Sequence, residues 1–414
     1  MPAFGAVRVF KSAAHGGYIM KMIGKKIFAV LLCLSLSCAM LAGCGDSAVN
    51  NGDTPDDSGL PTINIALEAP LSGAGSWSGK AMNAGCMIAL ENMADQFAAL
   101  GYQIKLVVND HQASSDVAAT DITKDIEFYH TPLVIGTYTG PLVTMSSVAA
   151  ENQVVILNPL AMGEQLVGLS DWLYNICPSY AATCEAMARY LYEEQGIREV
   201  VLLGDNTSTS LAQREAFSEV WTKLGGKVLS DVECETDTTD FLSVCAQIMK
   251  NDPPCIIMCS SDEDMQQREM LQFSQLGLPA DVAFAMVGPG NKNFASDFDY
   301  PSYAVDVRAD VPQQVIDRYN EAYVVDGMEF NSLKYTIANF GNAINVLYQC
   351  MSYCVDNGLD ITGANLKTAL DSNGTFEVYG GTFSFIEGNT VKSPIDIYEV
   401  LRGEATLAGS YFDD

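Results

Sequence analysis

Small and hydroxyl-bearing residues follow three short apolar stretches in the first half of the chain. They occupy residues 69–79, 137–141 and 158–163, each after a β-branched run. In an open parallel sheet, ligands bind beyond the carboxyl ends of the strands, where helix N-termini present free N–H groups. Backbone amides and hydroxyls in these segments would bind a carboxylate or another small anion. Ordinary strand-to-helix loops also favour Gly, Ser and Thr, so composition leaves both interpretations open.

Acidic residues follow the strand candidates of the second half. Residues 255–258 run into an acidic segment at 259–264, and residues 200–203 run into Gly-Asp-Asn-Thr-Ser-Thr. Carboxylates that face amide donors across a cleft would suit a zwitterion, with its ammonium group next to Asp262. Alternatively, these acids cap the next helix, where carboxylates are favoured.

Motifs that would indicate an enzyme are incomplete in this sequence. Residues 73–81 are similar to a phosphate-binding P-loop, but Ala74 stands at the first Gly position and Ala81 replaces the metal-binding Ser or Thr. No Ser lies in a Gly-x-Ser-x-Gly turn. His111 follows a strand and could reach a cleft, although we expect it in a surface loop. The sequence therefore predicts a protein that is not an enzyme and has no cofactor or metal, with an extracellular enzyme as a distant alternative.

Nine of the twelve cysteines follow residue 44. An odd number cannot all pair within one chain. The pairs at 255/259 and 350/354 lack the His or second Cys pair that zinc spacing requires. We expect mainly buried thiols that act as small hydrophobic side chains, with room for one or two disulfides.

The first 43 residues have the organisation of an export signal. Three lysines precede an apolar run at 27–42, which is shorter than the roughly 20 residues of a transmembrane helix. The run ends in Leu-Ala-Gly-Cys at 41–44, which resembles the lipobox of bacterial lipoproteins. That resemblance implies cleavage before Cys44, lipidation of its thiol, and extra N-terminal residues ahead of the natural start. The alternative is an uncleaved anchor with a chance cysteine.

Charge is distributed unevenly along the chain. The 22 Lys and Arg and 51 Asp and Glu give a net charge of −29, and residues 1–43 hold five of the basic residues and none of the acidic ones. The rest therefore carries 17 positive and 51 negative charges. Such a surface repels phosphate backbones and excludes nucleic acid as a partner. Residues 44–60 have little to bury and are typical of a flexible acidic tether.

Strand and helix patterns alternate from residue 62 onward, which predicts an α/β fold. The strand candidates are residues 62–67, 103–108, 133–136, 154–157, 199–203, 227–229, 255–258 and 282–287. The alternation restarts after a helical stretch at 181–194. Two doubly wound parallel-sheet lobes joined by a hinge fit the size of a stable core better than one sheet. A helix at 331–356 and a strand–turn–strand pattern at 376–399 follow the second lobe.

Because these last elements follow the second lobe, part of the tail must return to the first. This organisation divides the chain into six segments. They are the signal peptide 1–43, the tether 44–60, lobe one at 62–178, lobe two at 179–303, a return to lobe one at 304–356 and a C-terminal segment bridging the lobes at 357–414.

The sequence of residues 65–79, Ile-Ala-Leu-Glu-Ala-Pro-Leu-Ser-Gly-Ala-Gly-Ser-Trp-Ser-Gly, resembles the opening of the type I periplasmic solute-binding proteins. Asp110, Pro159, Phe241 and Gly288-Pro289 recur in the expected order, so the resemblance covers about residues 62–400. The best-known member is the leucine/isoleucine/valine-binding protein of ABC importers. The resemblance implies two lobes with three hinge crossovers, which close on a small ligand and hand it to a membrane permease.

Taken position by position, the resemblance implies ligand-binding residues in both lobes. They are Trp77, Ser78, Thr139, Gly140, Ala161, Met162, Thr209, Asp262 and Gly290. Trp77 would supply a ring beside Ser78. Polar partners of a branched-chain amino acid are lost at Gly140, Met162 and Gly290. We therefore expect an amino-acid-like solute, an amide or an aromatic acid as the ligand.

The expected protein is an extracytoplasmic monomer, attached to the cell membrane only through a lipid on Cys44. Its partners would be the ligand and the permease of an ABC transporter. A ligand-sensing lipoprotein that signals to a membrane receptor remains an open alternative, because ligand-driven closure serves both roles.

Overall fold

The computed structural model describes residues 59–73, 75–260, 263–289, 299–402 and 404–412. The predicted signal peptide, Cys44, Asp262 and Gly290 lie outside these residues. Among the described residues, no helix combines the length and the apolar character needed to cross a membrane.

Fifteen strands and ten α-helices form within these ranges. The strands are β1 Thr62–Ala69, β2 Gln103–Asp110, β3 Leu133–Gly136, β4 Val155–Asn158, β5 Leu173–Asn175, β6 Glu199–Asp205, β7 Lys227–Cys234, β8 Cys255–Cys259, β9 Ala283–Met286, β10 Ser302–Val307, β11 Phe376–Val378, β12 Gly381–Ile386, β13 Thr390–Lys392, β14 Ile395–Leu401 and β15 Glu404–Tyr411. The helices are α1 Ser76–Ala99, α2 Ser115–Tyr129, α3 Thr139–Asn152, α4 Tyr180–Arg189, α5 Ser208–Lys223, α6 Leu242–Met249, α7 Glu263–Gln275, α8 Gln313–Arg318, α9 Phe330–Asp356 and α10 Gly363–Ser372.

Several helices begin at the hydroxyl-bearing residues that the sequence places after strands. The Thr207 side chain accepts a hydrogen bond from the Ser210 N–H at the start of α5, and Ser114 caps α2 in the same way. Such caps satisfy N–H groups that have no partner within the helix. The strand-to-helix loops are thereby fixed at the edge of each sheet.

The strands form two sheets. The first has the order β11-β12-β13-β5-β4-β3-β1-β2, and the second has the order β15-β14-β10-β9-β8-β6-β7. Parallel pairing runs through six consecutive strands of the first sheet, β13-β5-β4-β3-β1-β2, and through five of the second, β10-β9-β8-β6-β7, which confirms the prediction of two doubly wound lobes. Antiparallel hairpins extend the other edge of each sheet, because short turns such as residues 387–389 can join only antiparallel neighbours.

Both sheets are covered by helices on both faces. In the first, Ile65 and Leu67 pack with α1 and α9, whereas Ala66 packs with α2 and α3. In the second, Val200 lies in the cluster that contains α4 and α5, and Val201 lies in the one that contains α6 and α7. Alternate residues of a strand point to opposite faces, so strands buried on both faces are apolar throughout.

The chain passes between the two sheets three times, as the resemblance implies. The first passage follows β5 at residues 176–179, the second connects β10 to α9, and the third joins β13 to β14 at residues 393–394. The C-terminal part thus contributes β11–β13 to the first sheet and β14–β15 to the second. These passages form the hinge region of the molecule.

The sequence prediction has no strand at the positions of β5, β10 and β15, and its strand–turn–strand pattern at 376–399 corresponds to four strands, β11–β14. β5 has only three residues, which is too short for a periodic signal. β15 is an exposed edge strand, so it lacks the apolar alternation by which strands are recognised.

All nine cysteines of the described residues are buried and carry free thiols. Of the two outcomes that the sequence left open, this structure has the one without disulfides. Burial raises the pKa of thiols such as those of Cys86 and Cys177. They act as small core side chains rather than as reactive groups.

Candidate functional site

The first loop of lobe one is held against the sheet by Asp110. Its Oδ1 accepts a hydrogen bond of 2.8 Å from the Leu71 N–H. Partial burial disfavours the charged form of Asp110, but hydrogen bonds from Ser72 and from backbone amides outweigh burial and lower its pKa. Gly79 is required beneath this loop, because a Cβ there would lie 2.1 Å from the Pro70 carbonyl oxygen. The loop therefore rests directly on the first turn of α1.

Trp77 and Ser78 occupy that first turn and differ in exposure. Trp77 leaves 44% of its surface exposed, so its ring is available to a ligand. Ser78 is buried, and its hydroxyl lies beside that of Tyr138. Burial raises the pKa of Tyr138, and Ser78 partly offsets that effect.

The loop after β3 carries backbone strain. Tyr138 precedes α3 with φ 63° and ψ 131°, a conformation that is rare for a bulky residue and that often marks functional sites. Thr139 begins α3, and its Oγ1 lies 3.2 Å from the position of a Cβ on Gly163. The loops after β3 and β4 therefore adjoin. Gly140 is exposed and faces Ser115 of α2 instead.

The loop after β4 is organised by Asn158. Its side chain accepts from the Ala161 N–H at 2.8 Å and donates to the Ala161 carbonyl at 2.7 Å. The backbone polar groups of Ala161 are thus both engaged within the loop. Met162 is buried, and its sulfur accepts a long hydrogen bond of 4.0 Å from the Tyr335 hydroxyl.

Tyr180 connects the two lobes at the first passage between the sheets. Its N–H donates to the Met162 carbonyl at 2.9 Å, and its hydroxyl lies beside Thr209 and Gln213 of α5. Burial raises the pKa of Tyr180 to about 12, although Thr209 and Gln213 act in the opposite direction. Two predicted site residues from different lobes, Met162 and Thr209, therefore both contact Tyr180, the first at its backbone N–H and the second at its hydroxyl.

The acid at the end of β6 has a structural role. Asp205 is buried and accepts hydrogen bonds of 2.8 Å from the Thr207 N–H and from the Ser260 hydroxyl. It thereby joins the loops after β6 and β8. Its carboxylate is engaged within the protein, whereas Asp262 and Gly290 lie outside the described residues.

Sequence reasoning missed two tyrosines of this site and the amides beside them. Tyr180 directly precedes the helical stretch predicted at 181–194, where the pattern indicates only the start of a helix. Tyr335 lies beside the apolar stripe of α9, close to Asn339 and Tyr180. Thr209 with Gln213, and Tyr335 with Asn339, are pairs separated by four residues. Each pair therefore shares one helix face near the helix N-terminus, and this spacing was the available signal.

The expectation of a surface loop for His111 is wrong. The side chain is fully buried, and its Nδ1 accepts a hydrogen bond of 3.0 Å from the Ala113 N–H. Burial lowers the pKa of His111, so the neutral form is favoured. The ring lies 5.7 Å from that of Tyr138, centroid to centroid. His111 thus supports the strained loop after β3.

A charged groove of about 540 Å³ lies at the outer edge of the second sheet, between α5 and β7. Arg214 lines it, and its guanidinium is paired with Asp231 at 2.8 Å and with Glu233 at 2.5 Å. Because these charges satisfy one another, the groove offers little to a ligand.

Within the described part of the chain, no three side chains of metal-ligating type are grouped closely enough to hold an ion.

Two mixed α/β sheets joined by three passages, with polar loops and tyrosines meeting where they adjoin, define a two-lobed binding protein. The chain matches the family model described as "Periplasmic binding protein" over residues 62–405, and it belongs to that family. A search of curated proteins found no match.

Solved structures share this architecture. The leucine-binding protein LivK of Thermotoga maritima is 19% identical with a TM-score of 0.69, covering 84% of this chain and 98% of its own. LivJ of Streptococcus pneumoniae, solved with isoleucine, is 17% identical with a TM-score of 0.67 and the same coverage. A solute-binding protein of R. palustris, solved with benzoate, is 16% identical with a TM-score of 0.68, covering 84% and 96%. At these identities the likeness is one of fold.

Proposed function

We propose that this protein binds a small solute between its two lobes and delivers it to the permease of an ABC importer. The observation that carries the proposal is the position of Tyr180, which contacts Met162 from the first lobe and lies beside Thr209 from the second. A ligand held there would contact both lobes and favour the closed arrangement. Family membership and the ligands of the structural relatives support the same role.

The solute is an amino-acid-like molecule, an amide or an aromatic acid. Isoleucine and benzoate occupy two of the related structures, and both carry a carboxylate on an apolar body. The start of α3 at Thr139 suits a carboxylate, because helix N-termini present free N–H groups. The exposed ring of Trp77 suits the apolar body. Closure would exclude water, so that few hydrogen bonds discriminate strongly.

The remaining predicted binding residues belong to this proposal as well. They are Ser78, Gly140, Ala161, Asp262 and Gly290. The lobe boundaries at residues 178, 303 and 356, and the monomeric state, likewise stay predictions.

A thermal-shift screen of the chain from residue 45 tests the proposal. The panel contains amino acids, amides and aromatic acids. A ligand present at 100 times its dissociation constant adds about 2.7 kcal/mol of stability, which raises the melting temperature measurably. Failure of every compound class would contradict solute binding. Uptake of the identified solute through a co-expressed permease then distinguishes import from sensing.

We also propose that the protein is anchored by a lipid on Cys44, behind a flexible tether. Replacing Cys44 with Ala in a bacterial host should move the protein from the membrane fraction to the soluble fraction. The neighbouring variant Ser47→Ala serves as the control and should stay membrane-bound. Equal partition of both variants would contradict the anchor.

A further inference from the structure

Six residues form what we call the hinge-side cluster. They are Met162, Tyr180, Thr209, Gln213, Tyr335 and Asn339. Tyr180 is the centre, because it contacts Met162 and lies beside Thr209, Gln213 and Tyr335. The Tyr335 hydroxyl reaches the Met162 sulfur and lies beside the Asn339 amide. The cluster joins the first lobe, the second lobe and the first passage between the sheets.

Two amide side chains in this cluster are buried with part of their hydrogen-bonding capacity unused. Asn339 is 6% exposed, and its Nδ2 makes no well-formed hydrogen bond to any described residue. Gln213 is 1% exposed, and its Oε1 likewise accepts none within the described part of the chain. An unsatisfied buried polar atom destabilises a protein and is uncommon in native structures. Each atom would gain a partner from a polar group placed against it.

The electrostatic surroundings of the cluster disfavour an anion. All six members are uncharged. None of the six supplies a positive charge to pair with a carboxylate, and a buried ion without a partner is costly. A neutral group that both donates and accepts would instead satisfy the two amides.

We infer that the hinge-side cluster receives the uncharged, hydrogen-bonding end of the solute, such as a carboxamide, and that Gln213 and Asn339 select it. This inference rests on the proposed function and names one end of the ligand. The carboxylate end of the same solute would lie at the lobe-one loops near Thr139. Specificity then arises because the amides stay unsatisfied when the arriving group cannot bond to them.

Two isosteric pairs of compounds test the selection by calorimetric titration of the chain from residue 45. 4-Carbamoylbenzoate and terephthalate have the same shape, but the second carries an added charge at the far end. L-Glutamine and L-glutamate form the corresponding aliphatic pair. In whichever pair binds, we expect the amide to bind about tenfold or more tightly than the acid. Equal or reversed affinities would overturn the inference while leaving solute binding intact.

Variants give a second measurement that needs no ligand. Asn339→Leu and Gln213→Met should leave the melting temperature of the unliganded protein within about 3 °C of the parent, or raise it, because each removes an unsatisfied group. The same variants should weaken binding of the preferred amide compound about tenfold or more.

Matched controls exist for both variants. Asn342 has the same 6% exposure on the same helix, but its Oδ1 accepts from the Tyr379 N–H at 2.7 Å. Gln266 is buried and donates to the Ser260 carbonyl at 2.7 Å. Asn342→Leu and Gln266→Met should therefore lower the melting temperature by several degrees. A fall as large in Asn339→Leu and Gln213→Met would assign those amides a structural role and overturn the inference, even if no solute in the panel binds.

Discussion

The carboxyl groups of this protein have different roles, which depend on their surroundings. Asp110 and Asp205 accept hydrogen bonds from backbone and hydroxyl groups and fix loops at the strand ends. Glu68 and Asp125 are both fully buried in lobe one, where Asn109 Nδ2 donates to Glu68 Oε1 at 2.9 Å and to Asp125 Oδ2 at 2.9 Å. Glu68 Oε2 has no hydrogen-bond partner of normal geometry among the described residues.

The Glu68–Asp125 pair predicts a dependence of stability on pH. Burial, together with the charge of Asp125, raises the pKa of Glu68 well above its ordinary 4.5. A raised pKa in the folded state means that stability is lost as pH rises from the unfolded value toward the folded one. Glu68→Gln imitates the protonated group and should remove this loss.

The free energy of unfolding of Glu68→Gln minus that of the parent should therefore increase by about 1–4 kcal/mol from pH 5 to pH 8. Urea denaturation at both pH values measures the difference. Glu127→Gln, at an exposed position of the same helix as Asp125, serves as the control and should follow the pH profile of the parent. Parallel pH profiles for Glu68→Gln and the parent would contradict the raised pKa of Glu68.

Asp262 supplies a residue-scale test of the ligand's charge. If it binds an ammonium group, Asp262→Asn should weaken amino-acid binding about tenfold or more and leave aromatic acids unaffected. Asp281→Asn is the matched control, because Asp281 is exposed and precedes β9, away from the carboxyl end of that strand. Titration calorimetry measures both variants. Unchanged amino-acid affinity in Asp262→Asn would refute the role.

At the scale of elements, the sequence predicted the buried strands and the long helix well. β3 and β8 are apolar throughout because helices cover both faces, and α9 follows the predicted apolar stripe. β5 and β15 were missed because short length or exposure erases the pattern. β10 was missed although it is buried, because Ser302 and Asp306 interrupt its apolar run. For the site, the sequence predicted the loops that follow central strands. It did not predict Tyr180 and Tyr335, because their role depends on their approach to each other from different elements.

The contact between the first loop and α1 predicts an effect of Gly79. In Gly79→Ala the new Cβ would collide with the Pro70 carbonyl, so the loop must shift. We expect a loss of about 1–3 kcal/mol in stability and weaker solute binding, measured by urea denaturation and titration. Gly374→Ala is the control, since no atom lies within 4 Å of its added Cβ. Equal stability of the two variants would contradict the close approach.

At the scale of the whole molecule, the net charge restricts the partner surfaces but does not determine the ligand. The net charge of −29 combines a basic N-terminal segment with a strongly acidic remainder, which makes an anionic partner surface unfavourable. It does not exclude an anionic ligand, because amides at the cleft act at short range and distant surface charges are screened.

The free thiols predict a whole-molecule titration. The chain from residue 45 contains nine cysteines, all buried. A thiol reagent should label none of them within minutes under native conditions and all nine in guanidinium chloride, as counted by mass spectrometry. Labelling of seven in the denatured protein would reveal one disulfide and contradict the structure.

The sequence by itself determined the alternation of strand and helix, the two-lobed class and the strand ends that face the site, because these depend on periodicity within short segments. Through the resemblance to a known family, it also indicated Trp77 and Thr139, in loops that follow strands, as candidates. Only the tertiary structure brought Tyr180 to Met162 and Thr209, buried His111, and left Gln213 and Asn339 with unused hydrogen-bonding groups. These outcomes depend on three chain passages that join residues distant in sequence, and no local pattern encodes which side chains such passages place together.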